Sequence, residues 1–300
     1  RKHHSFIDRI HTYALTTLAT YLKDSASLGL MNALLLGDRI AMQEEINQAY
    51  IDTGIIHVVA ISGSHVALLF TLLSYLLGFI KHKKHTWIKY CLALPFIWLY
   101  VIMAGAPPSA IRAAMMFTLI SLAWIFNREQ NSLHQLFLGA FLMLLIEPNW
   151  LFNIGFQLSF LAVFSIICFY PRIKKSIALK YRVAQWIWDA IAMSLAAELL
   201  VAPLVLYYFH NFPMLFILSN LLAAICMTIV LFGGIFIIVC SKISLIANWI
   251  SYLVIVIVHH FNAILVKIQY LQPLSWKHLP IHFWEMCLLY TLIVSVIYFI

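Results

Sequence analysis

Charge is what this 300-residue chain has least of: charged side chains make up 10% of it and hydrophobic ones 64%, at a mean hydropathy of +0.94. Soluble domains carry roughly a quarter charged residues, so a soluble globular fold is excluded. Cysteine is scarce too. The five cysteines all lie in apolar runs without CxxC spacing, which excludes a disulfide framework and a thiolate metal site. There is no HExxH, no glycine-rich phosphate loop ending in Lys-Ser or Lys-Thr, and no HxHxDH-like cluster. No catalytic residue, metal ligand or cofactor is therefore expected, and the chain is not expected to be an enzyme. Ser62 and Ser64 stand close to histidines, but closeness in sequence does not make a catalytic dyad. No repeat of 20 to 50 residues is visible, which favours a bundle over a solenoid. Arg1 stands where an initiator Met would, so a portion of a longer protein is expected.

What is present is a succession of apolar runs with short connectors. They predict an all-α, polytopic transmembrane helical bundle with about nine membrane segments: 55–80, 88–104, 108–126, 133–146, 150–170, 186–209, 215–240, 243–266 and 283–300. The run at 133–146 is short for a perpendicular span, and Gly233-Gly234 is expected to break the seventh segment. The net charge of +8 reports topology first. Lys81, Lys83, Lys84 and Lys89, then Arg128, then Arg172, Lys174, Lys175, Lys180 and Arg182 occupy connectors on one side, which the positive-inside rule makes cytoplasmic. Residues 1–53 then form an outer region ahead of a permease core at 54–300. Phe6, Ile10, Tyr13, Ala14 and Leu18 recur at helical spacing, as in an amphipathic surface helix or a packing helix. Leu28 to Leu36 is too short to cross and reads as a re-entrant or buried helix capped near Gly37.

The stretch Thr53 to Leu69, TGIIHVVAISGSHVALL, carries polar residues inside a membrane-length run. As one helix it would set Thr53, His57 and Ser64 on one face with His65 at its edge, beside a small stripe of Ala60, Gly63, Ala67 and Ser74. Ser62 and Gly63 are where such a helix is expected to bend or unwind. In GAPPSAIRAAMMF, Pro107 and Pro108 start a helix on which Ser109 and Arg112 share a face. Arg112 either faces an anion or snorkels to the surface. Glu198, near the middle of its segment, must be protonated, paired or hydrated. Gln157, Ser159 and Asn220 fit interhelical hydrogen bonds. His259 and His260 are about 100° apart on a helix, which argues against a shared metal.

Four stretches, LLLGDR with Gly37, Asp38 and Arg39, TGIIHVVAISGSHVALL, GAPPSAIRAAMMF and GFQLSFLAV, occur in an order and spacing that resembles the competence domain of the ComEC family. Ser64 stands where that family usually has Leu, and Pro107 is an added proline. The resemblance implies a channel that passes single-stranded DNA through the cytoplasmic (inner) membrane during natural transformation, working with other competence proteins. It also implies that the OB-fold and metallo-β-lactamase-like domains of full-length relatives are absent from these residues, along with any nuclease activity. The candidate path comprises His57, Ser62, Gly63, Ser64, His65, Arg112, Gln157, Ser159, Glu198 and Asn220, with Gly37, Asp38, Arg39 and Ser109 as motif residues. A small-solute or proton-coupled transporter, motivated by Glu198 and the histidines, is the alternative.

Overall fold

The computed structural model describes residues 6–38, 44–55, 61–79, 86–126, 131–270, 276–277 and 281–299. They fold into two compact units, each assembled from separate pieces of chain: residues 1–130 with 222–269, and residues 131–221 with 270–300.

The first unit holds α1 (Phe6–Tyr21), α2 (Ser25–Leu36), α3 (Glu44–Asp52), α4 (Gly63–Leu76), α5 (Thr86–Met103), α6 (Pro108–Ile125), most of α10 (Phe216–Val239) and α11 (Ser244–Tyr270). Every residue of α2 from Gly29 to Leu36 is buried. Asp24 caps its start by accepting from Ser27 N at 2.9 Å, and Gly37 ends it in the left-handed region at φ 75°. This helix lies against Gly234 of α10, while Gly233 faces Val254 of α11. A Cβ added at Gly234 would collide with Met31 Sδ and Leu35 Cδ1. Gly233-Gly234 therefore does not break its segment, as α10 runs unbroken from Phe216 to Val239. The missing side chains serve close helix approach. On the other side, α3 is tied to α11. Tyr50 Oη donates to Asn262 Oδ1 at 2.6 Å, and Gln269 Nε2 donates to Asp52 Oδ2 at 2.8 Å. Burial pushes the Tyr50 phenol above its ordinary range, which keeps it a hydroxyl donor.

The second unit contains α7 (Ser132–Ile146), α8 (Ile154–Ser176), α9 (Arg182–Phe209), the start of α10, the strands β1 (Asn211–Phe212) and β2 (Trp276–Lys277), and α12 (Phe283–Phe299). Its spine is the hairpin of α8 and α9. Tyr208 bonds Gln157, Ser165 bonds the Ala196 carbonyl and Lys174 bonds Asp189, so the partners run in opposite directions and the helices are antiparallel. Tyr290 Oη joins α12 to this pair through the Leu200 carbonyl at 2.9 Å. β1 and β2 pair antiparallel, Asn211 with Lys277 and Phe212 with Trp276.

The chain is an all-α, multi-pass membrane bundle. Among the described residues, α6, α8, α9, α10 and α11 are long and apolar enough to cross a membrane. Five of the about nine spans expected from the sequence are thus helices of membrane-crossing length, and they are accompanied by shorter apolar helices. The 14 residues of α4, for example, rise about 21 Å at 1.5 Å each, short of a hydrocarbon core of about 30 Å.

The single helix expected from Thr53 through the SGSH sequence does not form. Thr53 closes the last turn of α3: its N–H reaches the Ala49 carbonyl at 3.0 Å and its hydroxyl reaches the same oxygen at 2.7 Å. Gly54 then turns the chain at φ 79°, and α4 begins only at Gly63. Thr53 and Ser64 thus belong to different helices and share no face.

Candidate functional site

Three of the four motif stretches meet in the first unit. Each helix boundary there is set by its own local chemistry. Ser62 is the N-cap of α4, extended at φ −114° and ψ 166°. Its N–H donates to Nδ1 of His65 at 3.0 Å, the backward half of a capping box in which histidine replaces the usual Glu or Gln at the third helical position. Because Nδ1 accepts this bond, the ring proton of His65 sits on Nε2. The Ser62 hydroxyl lies 3.2 Å from the same Nδ1 and 2.6 Å from Oγ of Ser64. His65 is buried at 1% exposure, whereas Ser64 is exposed. The four residues SGSH thus encode one helix start.

Gly63 supplies the space for the next component. Pro107 and Pro108 open α6, with Pro107 as N-cap, and place Ser109 and Arg112 towards α4. Ser109 Oγ donates to the Ile61 carbonyl at 2.8 Å, fastening α6 to the residue before the cap. Arg112, 7% exposed, extends its guanidinium over Gly63, where an added Cβ would fall 2.6 Å from Nη2. Nη1 points to Met116 Sδ at 3.6 Å, one turn along α6. A cation thus lies at the positive end of α4, an arrangement that favours an approaching anion.

LLLGDR completes the cluster. A Cβ at Gly37 would lie 2.6 Å from the Ala104 carbonyl oxygen and 3.3 Å from Ile61 Cδ1, so this turn packs at once against the end of α5 and the start of the α4 cap. Tyr100 Oη, donating to the Leu34 carbonyl at 2.9 Å, pins α5 to α2. Asp38 follows Gly37, and its N–H reaches the Asn32 carbonyl at 3.2 Å. Ala104, Gly105 and Ala106 form the tight turn into Pro107, with φ of 78° at Gly105 and 50° at Ala106.

His57 and Arg39 lie outside the described residues. Gln157, Ser159, Glu198 and Asn220 belong to the second unit. There Gln157 bridges the start of α8, donating to the Leu151 carbonyl at 2.8 Å and accepting from Tyr208 at 3.1 Å. Glu198 is half-buried in α9, and Asn220 sits in α10 with its Oδ1 buried. The structure therefore brings Gly37, Asp38, Ser62, Gly63, Ser64, His65, Ser109 and Arg112 into one neighbourhood, and places the other four in another unit. Tyr100 and Met116 were not anticipated. The phenol of Tyr100, near the end of an apolar segment, was the only sequence signal for either. Among the described residues no three His, Cys, Asp or Glu side chains form a group that could hold a metal ion.

A family model described as Competence protein matches residues 34–300. ComE operon protein 3 of Bacillus subtilis (strain 168) is 34% identical over 199 residues, covering 65% of this chain and 24% of that protein. An uncharacterized protein of Aquifex aeolicus (strain VF5) is 27% identical over 226 residues, covering 75% of this chain and 51% of its own length. The uncharacterized protein YcaI of Escherichia coli (strain K12) is 26% identical over 220 residues, 69% of this chain and 28% of that one. The chain thus spans from about a quarter to about half of the length of these relatives. No solved structure matches.

Proposed function

This chain belongs to the competence protein family, whose model matches it over residues 34–300, and on that premise we propose that its multi-pass inner-membrane bundle translocates single-stranded DNA. The observation that carries the reading is the meeting of LLLGDR, SGSH and the Arg112 helix around Ile61, with the buried guanidinium lying over the start of α4. A passing strand presents one phosphate per nucleotide. A single guanidinium at a helix N-terminus attracts each phosphate in turn, whereas a dense cationic lining would hold the strand and stop it. In this reading the chain is a permease without a catalytic step of its own, and its protein partners are other competence components.

The test is uptake of labelled DNA in cells carrying Arg112→Ala or Arg112→Lys at matched protein level. Uptake is expected to fall at least about tenfold with alanine, the loss of one charge-assisted contact, and to recover in part with lysine. Unchanged uptake would remove Arg112 from the path. A pH-dependent solute flux in proteoliposomes, indifferent to DNA and abolished by Glu198→Gln, would instead favour a proton-coupled transporter.

A further inference from the structure

The tip of the α8–α9 hairpin carries a second cationic feature, distant in sequence from Arg112 and built differently. No acidic residue occurs from Cys168 to Trp188, while Arg172, Lys174, Lys175, Lys180 and Arg182 all fall in that interval. Two of the five are occupied internally. Lys174 Nζ pairs with Asp189 Oδ2 at 2.8 Å, and Arg172 Nη1 donates to the Cys168 carbonyl at 2.9 Å. Lys175, Lys180 and Arg182 are exposed, and among the described residues no carboxylate is within ion-pair distance of them.

The loop that presents them is held in place. Gln185 Oε1 accepts from Leu179 N at 3.3 Å while its amide donates to Asp189 Oδ1 at 3.0 Å, and Trp188 Nε1 donates to the Lys174 carbonyl at 3.2 Å. Asp189 thus fixes the tip without neutralising the three outer cations. Between those cations stand exposed apolar side chains: Leu179, Tyr181, Val183 and Trp186, the last at 57% exposure.

Both helices that feed the tip are long enough to span a membrane. The 28 residues of α9 rise about 42 Å, exceeding a hydrocarbon core of about 30 Å, so a turn or two extends into the headgroup layer. Cations interleaved with aliphatic and aromatic side chains at the end of two such helices complement the phosphate and the acyl chains of an anionic phospholipid. A nucleic acid has phosphates and stacking bases but nothing for Leu179 and Val183. We infer that the α8–α9 tip is a binding site for an anionic phospholipid, whose phosphate is taken by Lys175, Lys180 and Arg182 and whose upper acyl region rests on Leu179, Tyr181 and Val183.

The full chain, purified in mild detergent, is incubated with an equimolar mixture of phosphatidylglycerol and phosphatidylcholine of identical acyl chains, and the retained lipids are quantified. Phosphatidylglycerol is expected to be enriched in the wild type. The triple variant Lys175→Gln, Lys180→Gln, Arg182→Gln is expected to lose that preference by tenfold to on the order of a hundredfold, as removal of three surface charges predicts. Leu179→Ser should lower retention of both lipids and leave the preference intact. Equal retention of the two lipids by the wild type, or an undiminished preference in the triple variant, would overturn the assignment. A labelled oligodeoxynucleotide is run in parallel. If the triple variant loses oligonucleotide binding while its lipid preference stays intact, the surface belongs to nucleic acid and the inference fails.

Discussion

The guanidinium of Arg112 lies across the first residue of α4, so close that a Cβ added at Gly63 would stand 2.6 Å from Nη2. Glycine there is a condition for the arginine's position, and the two residues act as one unit.

Gly63→Ala is therefore expected to displace the guanidinium and to lower DNA uptake about as far as Arg112→Ala does. Alanine is otherwise the better helix former, so a stability loss of about 1 to 3 kcal/mol would report the contact rather than the backbone. In an Arg112→Ala background the same change should cost little. A double-mutant cycle by denaturant unfolding in detergent measures this, with a coupling of at least about 1 kcal/mol expected. Additive effects would mean that the two residues are independent.

Gly37 and Gly105 separate two reasons for glycine. Both have positive φ, 75° and 78°. Gly105 has open space where a Cβ would go, whereas Gly37 faces the Ala104 carbonyl at 2.6 Å. Gly105→Ala should cost about 1 kcal/mol, the left-handed penalty alone. Gly37→Ala should cost appreciably more, because a backbone oxygen cannot rotate away. Thermal unfolding of the two variants side by side decides it, and a smaller loss at Gly37 would contradict the packing described for LLLGDR.

Gly234→Ala should destabilise by about 1 to 3 kcal/mol through overpacking against Met31 and Leu35. Met31→Ala in the same chain should return part of that loss, which would show that the clash is with α2. No rescue would place the cost elsewhere.

Much of the helix pattern was legible in the sequence because apolar length and periodicity report it directly. Pro108 marked the start of α6, and the segment expected at 108–126 ends in the structure at Ile125. The run from Thr53 to Ile80 misled for the same reason. Its interior is apolar, and neither the Gly54 turn nor the cap at Ser62 lowers hydropathy enough to divide it. The glycine pair of α10 was ambiguous in principle, since the absence of a side chain permits both a break and a close approach, and only the partner helix decides. At the site, Ser62, Gly63 and Arg112 were each visible as polar or small residues in apolar surroundings. Their convergence was not, because it depends on where the α5–α6 turn and Gly37 place the helices, and no local pattern encodes that long-range geometry. Tyr100 and Met116 were hidden among ordinary span residues.

The packing of α2 into α10 has a consequence for how the protein is made. Met31 and Gly234 are 203 positions apart in the chain (234 minus 31), so the α10 surface that covers Met31 and Leu35 leaves the ribosome long after α2 itself. At roughly 5 to 20 residues per second, the delay is about 10 to 40 seconds. Throughout that interval the Met31 and Leu35 side of a short apolar helix must wait without α10, even after Tyr100 of α5 has emerged to bond Leu34. Ribosome stalling between α9 and α10 is therefore expected to leave the Gly234-facing side of α2 open to cysteine-directed labelling at an introduced Met31→Cys.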